Sequence, residues 1–157
     1  MANVFDVARY ILARLGEQGV LPVTTWKLQK LVYYSQAWSA VWSDEPLFGE
    51  RIEAWANGPV CPDLYAVHRG QFQISQLPEG RGDASVLTAD ERENINLVIG
   101  HYAPKAAQYL SELTHAERPW IVAREGLKPG ERGSNEITVE SMVEYYGSIA
   151  DASGDEA

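Results

Sequence analysis

The chain reads as mostly α: a single-domain compact helical fold of about six to seven helices, with room for a short minor β element. Three observations point there. Apolar residues recur at helical spacing in run after run, cap-forming residues precede several of these runs, and glycine and proline gather in the gaps between them. The 157 residues, 45% of them hydrophobic, suffice for one core. A domain of this length buries roughly 70% of its unfolded surface and needs no metal or disulfide to hold it.

Val4, Val7, Ala8, Ile11, Leu12 and Leu15 form the first stripe, with Asn3 as its cap and Gly16 or Gly19 as its end. After Pro22, Thr24 or Thr25 caps a longer helix reaching about Ser43. Its stripe is Leu28, Leu31, Val32, Ser35, Trp38 and Trp42, with Lys27, Gln29 and Lys30 elsewhere on the wheel. Its length makes it the central helix. A turn at Asp44-Glu45-Pro46 leads to a loosely alternating stretch, Phe48 to Trp55, which is the place for a short strand. Gly58-Pro59 breaks the chain, and Pro62 and Asp63 begin a short helix to about Arg69.

Residues 70–87 show no helical period and form the main loop, with a small hairpin allowed. Thr88 to Glu91 fits a capping box for a helix presenting Ile95, Val98, Ile99 and Tyr102. Pro104 starts another, with Ala106, Tyr109, Leu110 and Leu113 inward, and Pro119 a short one carrying Trp120 and Ile121. Residues 126–136 are a second polar loop. Thr138 caps a last helix with Met142, Val143, Tyr146 and Ile149. The domain is expected over 1–150, followed by a frayed acidic tail over 151–157.

The charge excludes some partners. The net charge is −9, and residues 79–157 carry seven Lys/Arg against fifteen Asp/Glu. Nucleic-acid affinity rests on cations neutralising phosphates, so direct nucleic-acid binding is not expected. A basic protein partner suits such a field, although plain solubility explains it as well. Cys61 is the only cysteine, which favours a reducing compartment. Asp6, Arg9 and Arg14 interrupt the first apolar run, so it reads neither as a signal peptide nor as a membrane span. A cytoplasmic protein is the expectation.

Catalytic signatures are absent: no glycine-rich phosphate loop and no nucleophile elbow. His115-Ala116-Glu117 has the spacing of a zinc-deaminase His-x-Glu, but Cys61 lacks the second cysteine that chemistry needs. Cys61, between Val60 and Pro62, reads as a buried structural residue. His68 and His101 read as solvated, and His115 as a helix-end histidine. No enzyme, cofactor or metal is expected.

Two aromatic blocks carry the strongest signal: Lys27-Leu28-Gln29-Lys30-Leu31-Val32-Tyr33-Tyr34-Ser35-Gln36-Ala37-Trp38, and Ile52-Glu53-Ala54-Trp55-Ala56-Asn57-Gly58-Pro59-Val60. A third runs Leu110-Ser111, then Thr114-His115 and Pro119-Trp120. Their order and spacing resemble the Panacea antitoxin domain family, which includes SocA-like antitoxins and GepA-type phage-associated proteins. Within that resemblance Leu28, Gln29, Tyr33, Trp38, Glu53, Trp55, Gly58, Pro59, Thr114, His115 and Pro119 are fold-specifying motif residues. Glu53 near Lys27 or Lys30 would lock the first two blocks by an ion pair. The tryptophans Trp38, Trp55 and Trp120 bring buried area and a donor that must find a partner.

The resemblance implies the neutralising half of a toxin–antitoxin pair, with an adjacently encoded cognate toxin bound directly. An adaptor that hands the toxin to a cellular protease is the alternative. Tyr34 shares a helix flank with Lys27 and Lys30. The spacing predicts that this flank, with Tyr65 or Trp120 beside it, is a partly exposed aromatic patch that meets the partner; the alternative is that Tyr34 is a half-buried core tyrosine.

Overall fold

The computed structural model describes residues 1–154. The first half of the chain holds α1 (Val4–Glu17), β1 (Val23–Thr24), α2 (Thr25–Ser43), β2 (Glu53–Trp55), β3 (Gly58–Val60), α3 (Pro62–His68) and β4 (Gln73–Ile74). A 3-10 turn at Ala84–Val86 then precedes α4 (Ala89–Tyr102), α5 (Ala107–His115), α6 (Arg118–Ala123) and α7 (Val139–Gly154). The mostly α expectation holds. The four strands form two antiparallel pairs: β1 with β4, Val23 opposite Ile74, and β2 with β3, Ala54 opposite Pro59.

Caps form where the residue types placed them. Asn3 and Thr88 each complete a capping box, with Asp6 and Glu91 reaching back to the cap backbone. Thr24 accepts from the Lys27 amide and Thr138 from the Ser141 amide. Asp6 has a second role. Its carboxylate also accepts from the Asp83 amide at 2.7 Å, while Arg9 donates to the Pro78 and Arg81 carbonyls. These bonds pin the long 70–87 loop to α1.

α2 is central, packing on α1, α4, α5 and α7. It differs from expectation in having no polar flank through most of its length. Gln29, Lys30, Ser35, Gln36 and Ser39 are buried along with Leu28, Leu31, Val32, Tyr33 and Tyr34. A helix enclosed on all sides must satisfy polar groups inside the protein. Gln36 therefore bonds the Leu47 and Phe48 amides and the Phe48 carbonyl. Gln29 bonds both the amide and the carbonyl of Cys61 and reaches His68 Nε2 at 2.9 Å. His68 is thus buried rather than solvated. Trp42, expected inward, lies past the enclosed stretch and is 44% exposed, stacked on Trp38.

Four further expectations are corrected. Gly58-Pro59 does not break the chain but enters β3, with Gly58 at φ +127°. Pro104 does not begin α5; a turn closed by the Lys105 amide on the Tyr102 carbonyl comes first, and the helix starts at Ala107. Glu53 pairs with Arg51 at 2.9 Å and accepts from the Trp55 indole; it does not pair with Lys27 or with Lys30, whose end lies buried against Gly58. Residues 151–154 of the expected acidic tail continue α7, and 155–157 lie outside the described residues.

Candidate functional site

The three motif blocks converge on the β2–β3 hairpin. Trp55 closes β2 and its indole donates to Glu53 at 2.9 Å. Trp120, on α6, donates to the Trp55 carbonyl at 2.9 Å, and Ser111, on α5, donates to the Asn57 carbonyl at 2.7 Å. His115 ends α5 and stacks on Trp120, centroids 4.0 Å apart and planes 14° from parallel. Trp38 finds its acceptor in the Tyr102 hydroxyl at 2.9 Å. The donor of each motif tryptophan is therefore satisfied, and the hairpin is clamped from two helices.

Beside the hairpin opens a cleft of about 400 Å³ whose lining includes Trp26, Trp55, Asn57 and Arg132. Tyr65 braces both tryptophans, edge-on to Trp55 at 4.9 Å and tilted against Trp26 at 6.5 Å. Directly behind the lining lies Lys30. Its ammonium is fully buried, sits 5.4 Å over the Trp26 ring, and has no hydrogen-bond partner. Burial lowers its pKa to about 8. A Cβ at Gly58 would lie 2.6 Å from Lys30 Cε, so a glycine there is what leaves room for the lysine. His115 Nε2 is likewise buried without a partner. Burial, and secondarily the Lys30 charge, lowers the His115 pKa.

A second polar cluster lies deeper. Glu117 Oε1 accepts from Tyr34 at 2.7 Å and Tyr146 at 2.9 Å, and Tyr146 meets Tyr33 at 3.0 Å. Tyr34 stacks flat on Tyr102 at 3.9 Å. Burial raises the Glu117 pKa against the two tyrosine bonds, which lower it. His115 and Glu117 thus serve different networks, one against Trp120 and one among tyrosines.

The flank expected to be exposed is not. Lys30 and Tyr34 are both fully buried, because α2 is enclosed by α4, α5 and α7 where the wheel left that flank open. Tyr65 and Trp120 are half-buried around the hairpin, and Lys27 is half-buried on α2. Trp26, Asn57 and Arg132 escaped the sequence reading. Trp26 had a signal, since it stands four residues before Lys30 and one helical turn brings the two together. Arg132 had none in its polar loop. Among the described residues no three metal-ligating side chains gather, and no helix is long and apolar enough to cross a membrane.

The sequence that carries these motifs matches a known family. Residues 28–121, more than half the chain, match the family described as antitoxin SocA-like, Panacea domain. The chain belongs to this antitoxin domain family. Neither the curated proteins nor the solved structures contain a match.

Proposed function

We propose that this protein is the antitoxin of a toxin–antitoxin pair and neutralises a cognate toxin, encoded beside it, by direct protein–protein binding and without catalysis. Membership of the SocA-like Panacea family carries this reading. The chemistry around the motifs supports it: the buried carboxylate Glu117 is held by two tyrosine hydroxyls, and His115 is packed flat on an indole. Groups so engaged serve packing and orientation. The setting is the cytoplasm, where the single cysteine Cys61 stays reduced.

Co-expression with the product of the adjacent reading frame is the test. That product alone should arrest growth, and the pair should be harmless and co-purify as a stable complex. A harmless neighbour, or rescue with no complex, defeats the proposal. Toxin half-life separates masking from the alternative of delivery to a protease: masking leaves it unchanged or longer, delivery shortens it. Glu117→Gln should neutralise undiminished, whereas loss of neutralisation in a folded variant would reopen acid–base chemistry at this residue.

A further inference from the structure

We propose that the hairpin cleft receives an acidic side chain of the partner protein, seated between Trp26 and Trp55 and paired with the Lys30 ammonium behind them. That the partner is a toxin rests on the antitoxin reading; the chemistry of the cleft does not.

The first observation is the isolation of the lysine. The sequence holds 22 Asp and Glu against 13 Lys and Arg, yet the Lys30 ammonium is fully buried with no hydrogen bond to any described group. Buried charges are ordinarily paired, because an unpaired one loses its hydration with no return. The Trp26 face answers only part of that need. The second observation is the space reserved for it. Gly58 adopts φ +127°, and its missing side chain is what admits Lys30 Cε and Nζ beneath the hairpin turn.

The third observation is the cleft itself. Trp26 and Asn57 both line it, and Nζ lies behind the Trp26 ring and beside the glycine that follows Asn57. Trp26 is only half-buried, and contact between the carboxylate and the ammonium requires its indole to turn aside. The lining suits an anion. Its carboxylate, Glu53, is already held by Arg51 and the Trp55 indole, and Arg132 adds a cation. The indole walls suit the methylene stem of an aspartate or glutamate, which a small free anion lacks.

The test uses the full chain and two capped peptides, acetyl-Ala-Glu-Ala-amide and its Gln counterpart, with acetate as a third probe. Indole NMR signals of Trp26 and Trp55 report occupancy. The Glu peptide should shift both, at concentrations up to tens of millimolar, and bind at least about tenfold more tightly than the Gln peptide, the discrimination expected of a charge-assisted hydrogen bond. Lys30→Met should abolish the preference while its thermal midpoint holds or rises. Equal shifts from the two peptides, or none, overturn the proposal. Acetate matching the Glu peptide also overturns it, in favour of a small-anion site. Should Lys30→Met not fold, the Glu–Gln contrast on the unaltered chain still decides. No toxin enters this experiment: a Glu preference without any toxin complex retires the antitoxin reading alone, and a stable complex without a Glu preference retires the cleft alone.

Discussion

Lys30 and Glu117 are charges that folding disfavours, and each makes stability depend on pH in its own direction. The Lys30 pKa falls from 10.5 to about 8 on burial, so the unfolded chain binds its proton more tightly. Below pH 8 the penalty is complete, on the order of 3 kcal/mol; it fades as pH rises toward the unfolded value. Stability should therefore climb between about pH 8 and pH 10.5. Lys30→Met keeps the stem and drops the charge, so at pH 7 it should raise the unfolding free energy by about 2–4 kcal/mol. Chemical denaturation across that pH window checks both claims, and a less stable variant would show a hidden partner for the ammonium. Glu117 runs the other way. Its carboxyl pKa is raised chiefly by burial, so the folded state holds the proton more tightly and its contribution is lost as pH rises through the folded pKa. Glu117→Gln keeps a carbonyl for Tyr34 and Tyr146 and removes the titration. The stability difference between wild type and variant should fall, as pH rises, from the ordinary carboxylate range through the raised value, and then level off. A difference flat with pH would mean that the two tyrosine bonds offset burial in full.

At the scale of elements, α2 shows what a sequence can and cannot say. Its limits and cap were legible, because Thr24 precedes a long run free of breakers and the chain leaves the helix at Asp44, with φ +58°. The enclosure of its polar flank was not legible. Helical periodicity reports the face that meets the first neighbour, and three further helices covering the rest leave no trace in local spacing. The hairpin met the same limit. Gly58-Pro59 has the composition of a breaker, and only the lysine beneath it explains a strand that starts on a glycine with positive φ. Motif residues were thus readable as a set, while their meeting at one hairpin depended on α5 and α6 arriving from the other half of the chain. Gln36 illustrates how α2 organises the irregular segment between it and β2. One amide side chain serves two backbone amides and one carbonyl of residues 47–48, all buried. Gln36→Leu leaves those three groups without partners, and should cost about 3–5 kcal/mol. The denaturant midpoint should fall with the slope unchanged; a loss below about 1 kcal/mol would mean that water takes the place of the amide.

The whole molecule is one cooperative unit if its core opens only as a whole, and Cys61 can report that. The thiol is buried in the hydrophobic core, and burial raises its pKa to about 11. A thiol both covered and protonated is inert until the surrounding structure opens. Its backbone is also tied to Gln29 on both sides, so releasing α3 alone would break bonds to the central helix. A thiol reagent at pH 7 should therefore label the native protein at a rate set by the population of the globally open chain. Lys30 has no part in binding Cys61, yet Lys30→Met is expected to stabilise the whole fold by about 2–4 kcal/mol. If opening is global, the same substitution should slow labelling by roughly a hundredfold, since each 1.4 kcal/mol is about a factor of ten. Labelling slowed in step with the measured change in unfolding free energy would join the charge under the cleft and the thiol at the start of α3 in one cooperative core. Unslowed labelling, with the stability gain confirmed by denaturation, would instead assign Cys61 to a local opening of α3 and divide the molecule at the Gln29 bonds.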